Sequence, residues 1–161
     1  MTIAEFNNCV DLYADKLYRF ILKNVRDKDK AKDIVQDTFE KVWMKVSEVS
    51  SSNAKSYMFT AAYRTMIDHL RRNSKQSPLE EKQQIMPITN SSYSDLKEVL
   101  NEALSHLPEI QRSVILLRDY EGYNYLEIGE ITGLSESQVK VYIYRARVFL
   151  KEYIGSVNAV I

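Results

Sequence analysis

The sequence predicts an all-α protein of two small helical domains joined by a flexible linker, the second domain ending in a helix-turn-helix. Three observations carry that expectation. Four glycines and three prolines in 161 residues leave few helix breakers, and apolar residues recur at three- and four-residue steps with no run that reads as a strand. Residues 74–94, SKQSPLEEKQQIMPITNSSYS, hold two of the three prolines and no sustained periodicity, which marks a linker between domains at 1–73 and 95–161. Further on, GEITGLSESQVKVYIYRAR sets a short helical pattern, a glycine and a helix-start signal in succession.

Each element follows in order. A first helix carries Phe6, Val10, Tyr13, Leu17, Phe20, Ile21 and Val25 on one stripe, and the charged run DKDKAKD marks the passage to a second. The second carries Ala31, Ile34, Val35, Phe39, Val42, Trp43 and Val46. A third, over about 54–72, carries Phe59, Ala62, Tyr63, Met66, Ile67 and Leu70, completing a three-helix core. As a coil the linker spans about 25 Å, and at full extension about 70 Å, so the two domains can sit on well-separated sites. Four helices follow, over about 95–106, 108–121 with Pro108 in the first turn, 125–132 and 135–153. The start of the last is specified twice over. Ser135 and Gln138 have the spacing of a capping box, and Leu134 and Val139 that of a hydrophobic staple. Gly133 suits the sharp turn before them. Beyond the cap, Val139, Ile143, Ala146, Leu150 and Tyr153 share one stripe, while Lys140, Tyr144, Arg147 and Lys151 share another that faces out.

Composition excludes several function classes. No apolar run approaches the roughly 20 residues of a membrane span, and the N-terminal segment lacks the basic and apolar regions of a signal peptide, so a cytoplasmic protein without membrane insertion is expected. One cysteine, Cys9, and two distant histidines, His69 and His106, cannot build a zinc or redox centre, and no cofactor is expected. With no phosphate-cradling glycine loop and no nucleophile-base pair, neither catalysis nor a small-molecule substrate is expected. The formal charge is zero, unlike that of proteins that bind nucleic acid strongly alone. Its distribution is uneven: thirteen Lys/Arg stand against ten Asp/Glu over 1–73, and seven against ten over 95–161. Within that acidic second block, residues 135–153 are basic, which fits DNA affinity that is modest and lent by a partner.

A helix that presents Ser135, Ser137, Lys140, Val141, Tyr144 and Arg145 from its first turns suits the major groove, whose base edges offer donors, acceptors and thymine methyls. Arg147 and Lys151 are then placed for phosphates. On the second helix, Asp33, Gln36, Asp37 and Glu40 form an acidic polar face, which calls for a basic partner.

The run LPEIQRSVILLRDYEGYNYLEIGEITGLSESQVKVYIYRAR resembles the C-terminal domain of extracytoplasmic-function sigma factors, at Leu107, Pro108, Gln111, Arg112, Leu117, Arg118, Glu121, Gly122, Tyr125, Glu127, Ile128, Ser135, Val139, Lys140, Arg145, Ala146 and Arg147. Upstream, DKAKDIVQDTFEKVW is similar to the polymerase-binding helix of the same family. The resemblance implies a subunit that binds bacterial core RNA polymerase through Asp33, Gln36, Asp37 and Glu40. It implies that the third helix and the loop before it open and read the minus-ten promoter element. There Ser51, Ser52 and Asn53 could line a base pocket, Tyr57 and Tyr63 could stack, and Arg64, Arg71 and Arg72 could track the backbone. The C-terminal helix would read the duplex minus-thirty-five element, and an anti-sigma protein would be a further partner. Tyr63 and Arg64 depart from the family's common Arg-Asn pair, and Gly129, Val141 and Tyr142 depart from its helix-turn-helix pattern. Two other readings stand beside this one: a conventional dimeric helix-turn-helix regulator, and a polymerase-binding adaptor that touches no DNA.

Overall fold

The computed structural model describes residues 1–76 and 92–160, with side chains for 1–72 and 96–156. Most of the expected linker, 77–91, therefore lies outside the described residues. The chain divides into two compact units, the first of residues 1–76 together with Gly129–Gly133 and the second of the remaining described residues.

In the first unit, α1 (Ile3–Val25) starts at a capping box in which Thr2 and Glu5 satisfy each other's backbone N–H groups. It stops at Arg26, whose N–H still bonds the Leu22 carbonyl at 2.8 Å while its left-handed φ of 56° turns the chain out of the helix. Asp27 follows at once as the N-cap of α2 (Lys28–Met44), accepting from the N–H groups of Asp29 and Lys30 at 3.0 and 3.1 Å. Two residues thus reverse the chain, and α1, α2 and α3 (Ala54–Gln76) pack against one another pairwise. Their core is Leu17, Phe20, Ile21, Ile34, Met58, Phe59 and Met66, with Phe20 and Phe59 meeting edge to face at 5.7 Å. Two buried polar side chains, Asn24 and Thr38, bond to carbonyls one turn back on their own helices, at 3.0 and 2.7 Å.

The expected stripes shift slightly. Val10, Tyr13 and Val25 are only half-buried, whereas Cys9 and Asn24 are buried. On α2, Val35, Phe39 and Trp43 stay partly exposed although their spacing reads as core. Between α2 and α3, two short 3-10 turns, Val46–Glu48 and Ser51–Asn53, are anchored by buried Val49 and Ala54. The Met1 amino group donates to the carbonyls of Val46 and Val49 at 3.0 and 2.8 Å.

Residues 92–160 hold α4 (Ser92–Ser105), α5 (Glu109–Ile115) running into a π turn at Leu116–Tyr120, α6 (Tyr125–Thr132) and α7 (Glu136–Val160). Pro108 precedes α5 as its N-cap residue, one position earlier than expected, and α7 runs seven residues past its expected end at 153. α7 packs on α4 and α5. Leu104, Leu117, Ile128, Ile131, Val139, Ile143 and Ala146 are buried. After the π turn, Gly122 takes φ 75°, and Asn124 and Glu127 form a capping box for α6 at 2.8 and 3.0 Å. The chain then leaves α6 through Gly133 at φ 79°, and Ser135 and Gln138 exchange the expected bonds at 3.2 and 2.9 Å. No helix among the described residues is long and apolar enough to cross a membrane.

Phe59 is fully buried, so Phe59→Ala should destabilise the first unit by about 3–5 kcal/mol. Urea unfolding followed by helical circular dichroism checks this, and the m-value should stay unchanged.

Candidate functional site

Three surfaces carry the expected site residues. The first lies on α1 and α2, where Val35, Phe39 and Trp43 recur every fourth residue and form one wall of a shallow groove of about 670 Å³. Phe6, which meets Trp43 at 5.1 Å, and Tyr18 also line it. Trp43 remains 43% exposed, a large apolar surface left in water beside a groove. Gln36 and Glu40 stand on the rim with Asp15 and Lys32, so two of the four expected polymerase-binding residues border it. Asp33 is exposed but outside the lining.

Asp37 does something else. Its carboxylate turns to α3, meeting His69 Nε2 at 3.2 Å and Lys41 Nζ at 3.5 Å, and Lys41 also donates to Thr65 at 3.3 Å. Burial works to raise the Asp37 pKa, but the His69 hydrogen bond and the Lys41 charge outweigh it and hold the carboxyl below its usual range. Asp37 thus ties α2 to α3, and the acidic face is narrower than the sequence suggests.

The second surface spans the α2–α3 loop and the side of α3. Ser51, Ser52 and Asn53 are exposed in a turn whose shape is held by Ser50, hydroxyl to hydroxyl with Ser52 at 2.8 Å and carbonyl to the Asn53 N–H at 3.1 Å. Tyr57 and Arg64 line a cavity of about 370 Å³ between α2 and α3, together with Lys41, Lys45 and Asp68. Arg71 and Arg72 are exposed near the end of α3. Tyr63 departs from expectation: at 7% exposure it belongs to the core and offers no ring face for stacking. Lys41, in the last turn of α2, and Lys45, the residue just after it, were not anticipated.

The third surface is the outer face of α7. Val141 and Tyr144 are 45% and 70% exposed, and Ser135, Ser137, Lys140, Arg145, Arg147 and Lys151 are exposed around them. Several of these cations already have neighbours. Lys140 pairs with Glu136 at 3.6 Å and lies over the Tyr125 ring at 5.6 Å, while Arg145 lies over Tyr142 at 5.9 Å. Arg147 Nη2 donates to Asp119 Oδ1 at 2.8 Å, and this bond raises the guanidinium pKa further above its ordinary value. Arg118 also lies over the Tyr125 ring, 4.9 Å from its centroid, and donates to the Tyr123 carbonyl at 3.0 Å.

Asp37 should make stability depend on acid. A depressed folded-state pKa gives stabilisation that is complete above the unfolded value and lost as pH falls through the folded one. Asp37→Asn should therefore melt at a lower temperature than the parent at neutral pH. Melts taken down to about pH 3 should show the gap closing below about pH 4, near the ordinary aspartate pKa.

Comparison with known proteins places these surfaces in context. Residues 9–76 match the family described as Sigma-70 region 2, and residues 97–150 match Sigma-70, region 4. The chain is 30% identical over 156 residues to the ECF RNA polymerase sigma factor SigM of Bacillus subtilis (strain 168), covering 94% of each. It is 32% identical over 147 residues to the RNA polymerase sigma factor SigV of the same organism, covering 90% of this chain and 88% of that one. Among solved structures, the sigma factor RpoE in complex with the anti-sigma factor NepR from Bartonella quintana superposes with a TM-score of 0.81 at 26% identity, covering 95% of this chain and 98% of that one.

Proposed function

The chain belongs to the extracytoplasmic-function class of sigma-70 factors, which bind core RNA polymerase and direct promoter-specific transcription initiation, and we propose from that premise how its surfaces divide the work. The first unit docks on core polymerase through the α1–α2 groove, with Trp43 as apolar anchor and Gln36, Glu40 and Asp33 meeting basic groups around it. Its loop Ser51–Asn53 and the Tyr57/Arg64 cavity take the melted minus-ten strand, with Arg71 and Arg72 along the backbone. The second unit holds the duplex minus-thirty-five element by laying α7 in the major groove. Synthesis of RNA stays with the polymerase.

The single observation that carries the DNA reading is the outer face of α7. Two large side chains, Val141 and Tyr144, stand in solvent between Lys140 and Arg145. In water alone that arrangement gains nothing, whereas in a major groove the apolar groups meet thymine methyls and the cations meet purine acceptors or phosphates. The work of such a subunit places it in the cytoplasm with polymerase and chromosome. The solved relative is held by an anti-sigma protein, and we infer a partner of that kind for this chain.

Transcription in vitro tests the assignment, with sigma-free core polymerase and fragments of the source genome as template. The purified chain should start discrete transcripts. Trp43→Ala should weaken core binding by about tenfold or more, as loss of an interface aromatic commonly does. Tyr144→Ala with Arg145→Ala should leave core binding intact and remove the discrete starts. A chain that binds a specific duplex without polymerase and starts no transcript would instead be a conventional regulator.

A further inference from the structure

On the face of α7 assigned to DNA, one cation is held by a carboxylate from a different part of the second unit. The π turn after α5, closed by the Glu121 N–H on the Leu116 carbonyl at 3.2 Å, inserts an additional residue into the helical turn. Asp119, within that turn, meets Arg147 across 28 residues of sequence at 2.8 Å. Arg147 shares its stripe with Lys140 and Tyr144 at seven- and three-residue spacings, so the carboxylate sits beside the surface that would face the phosphates.

We propose that Asp119 is a built-in counter-ion that holds Arg147 back from DNA phosphate and so keeps the intrinsic duplex affinity of the second unit low. The inference rests on the assignment of α7 to duplex DNA. Carboxylate and phosphate compete for the same guanidinium donors, and both members of the pair are about half exposed, at 50% and 44%, so a phosphate can reach the pair. What it meets there is a neutral pair rather than a cation. Binding to a neutral pair releases no condensed counter-ion, and a contact of that kind drops out of the salt dependence. An exposed ion pair contributes little to folding, so a purely structural reason to keep this one is weak. The consequence is functional: a free chain that ignores bulk DNA, and a holoenzyme in which polymerase supplies the missing affinity. Asp119 acts through Arg147 and is a positioning residue.

The test measures anisotropy of a mixed-sequence duplex of about 30 base pairs with the full-length chain, from about 50 to about 200 mM salt. Asp119→Asn should bind up to about fivefold tighter than the parent, the range in which exposed ion pairs act. Its log–log salt slope should steepen by about 0.9, one added phosphate contact. Asp119→Glu should behave as the parent, and Asp119→Asn with Arg147→Ala should lose both the tighter binding and the steeper slope, returning to about the level of the parent. A structural staple would lower the melting temperature of Asp119→Asn without steepening the slope. If Asp119→Asn binds no tighter while Arg147→Ala weakens binding, the counter-ion proposal is wrong and the DNA assignment stands. If neither Arg147→Ala nor Lys140→Ala with Arg145→Ala changes duplex binding, both are wrong.

Discussion

What the second unit can show to DNA depends on the direction in which α7 leaves the turn at Gly133, because every exposed side chain of that helix is carried on one rigid cylinder. Gly133 supplies a φ of 79° that a side chain would make costly. The Ser135–Gln138 exchange then closes two of the open backbone donors at the helix start, and buried Val139 and Ile143 fix the rotation of the cylinder about its axis. With those constraints in place, Lys140, Val141, Tyr144 and Arg145 face outward together. A change at the turn would move the whole reading surface, whereas a change on that surface would alter one contact.

The second governing constraint is charge. A protein that must find promoters only with its polymerase cannot carry a surface that binds any duplex, and its formal charge is zero. That balance is built locally as well as globally. Lys140 has Glu136 beside it, Arg147 has Asp119, and Lys41 has Asp37. The surface proposed for docking follows a different logic: the α1–α2 groove leaves Trp43 and Phe39 partly in water, so its gain would come from covering apolar area when a partner arrives.

Much of the fold was legible because its signals are local. Ser135 and Gln138 stand three residues apart, and the bonds they make follow from that spacing alone. The same grammar was present and unread at Asn124 and Glu127 and at Thr2 and Glu5. Periodicity found α1, α2 and α3 but could not separate core from groove, because Val35, Phe39 and Trp43 carry the helical repeat whether a neighbouring helix or an absent partner covers them. Tyr63 and Asp37 illustrate the same limit for sites. One points into the core and the other to His69 on α3, and helix rotation, which decides both, is a tertiary property. The Asp119–Arg147 pair depends on a π turn and joins residues 28 apart, so no local pattern announces it.

The central claim is that two units of one chain address separate promoter elements and do so only on the polymerase. Footprinting measures this most directly, with hydroxyl radical for duplex protection and permanganate for unpaired thymines on one promoter fragment. The holoenzyme should protect an upstream duplex segment and expose reactive thymines about two helical turns downstream, while the free chain at the same concentration leaves the fragment unprotected. Protection of the upstream segment by the free chain, undiminished when polymerase is omitted, would contradict the account.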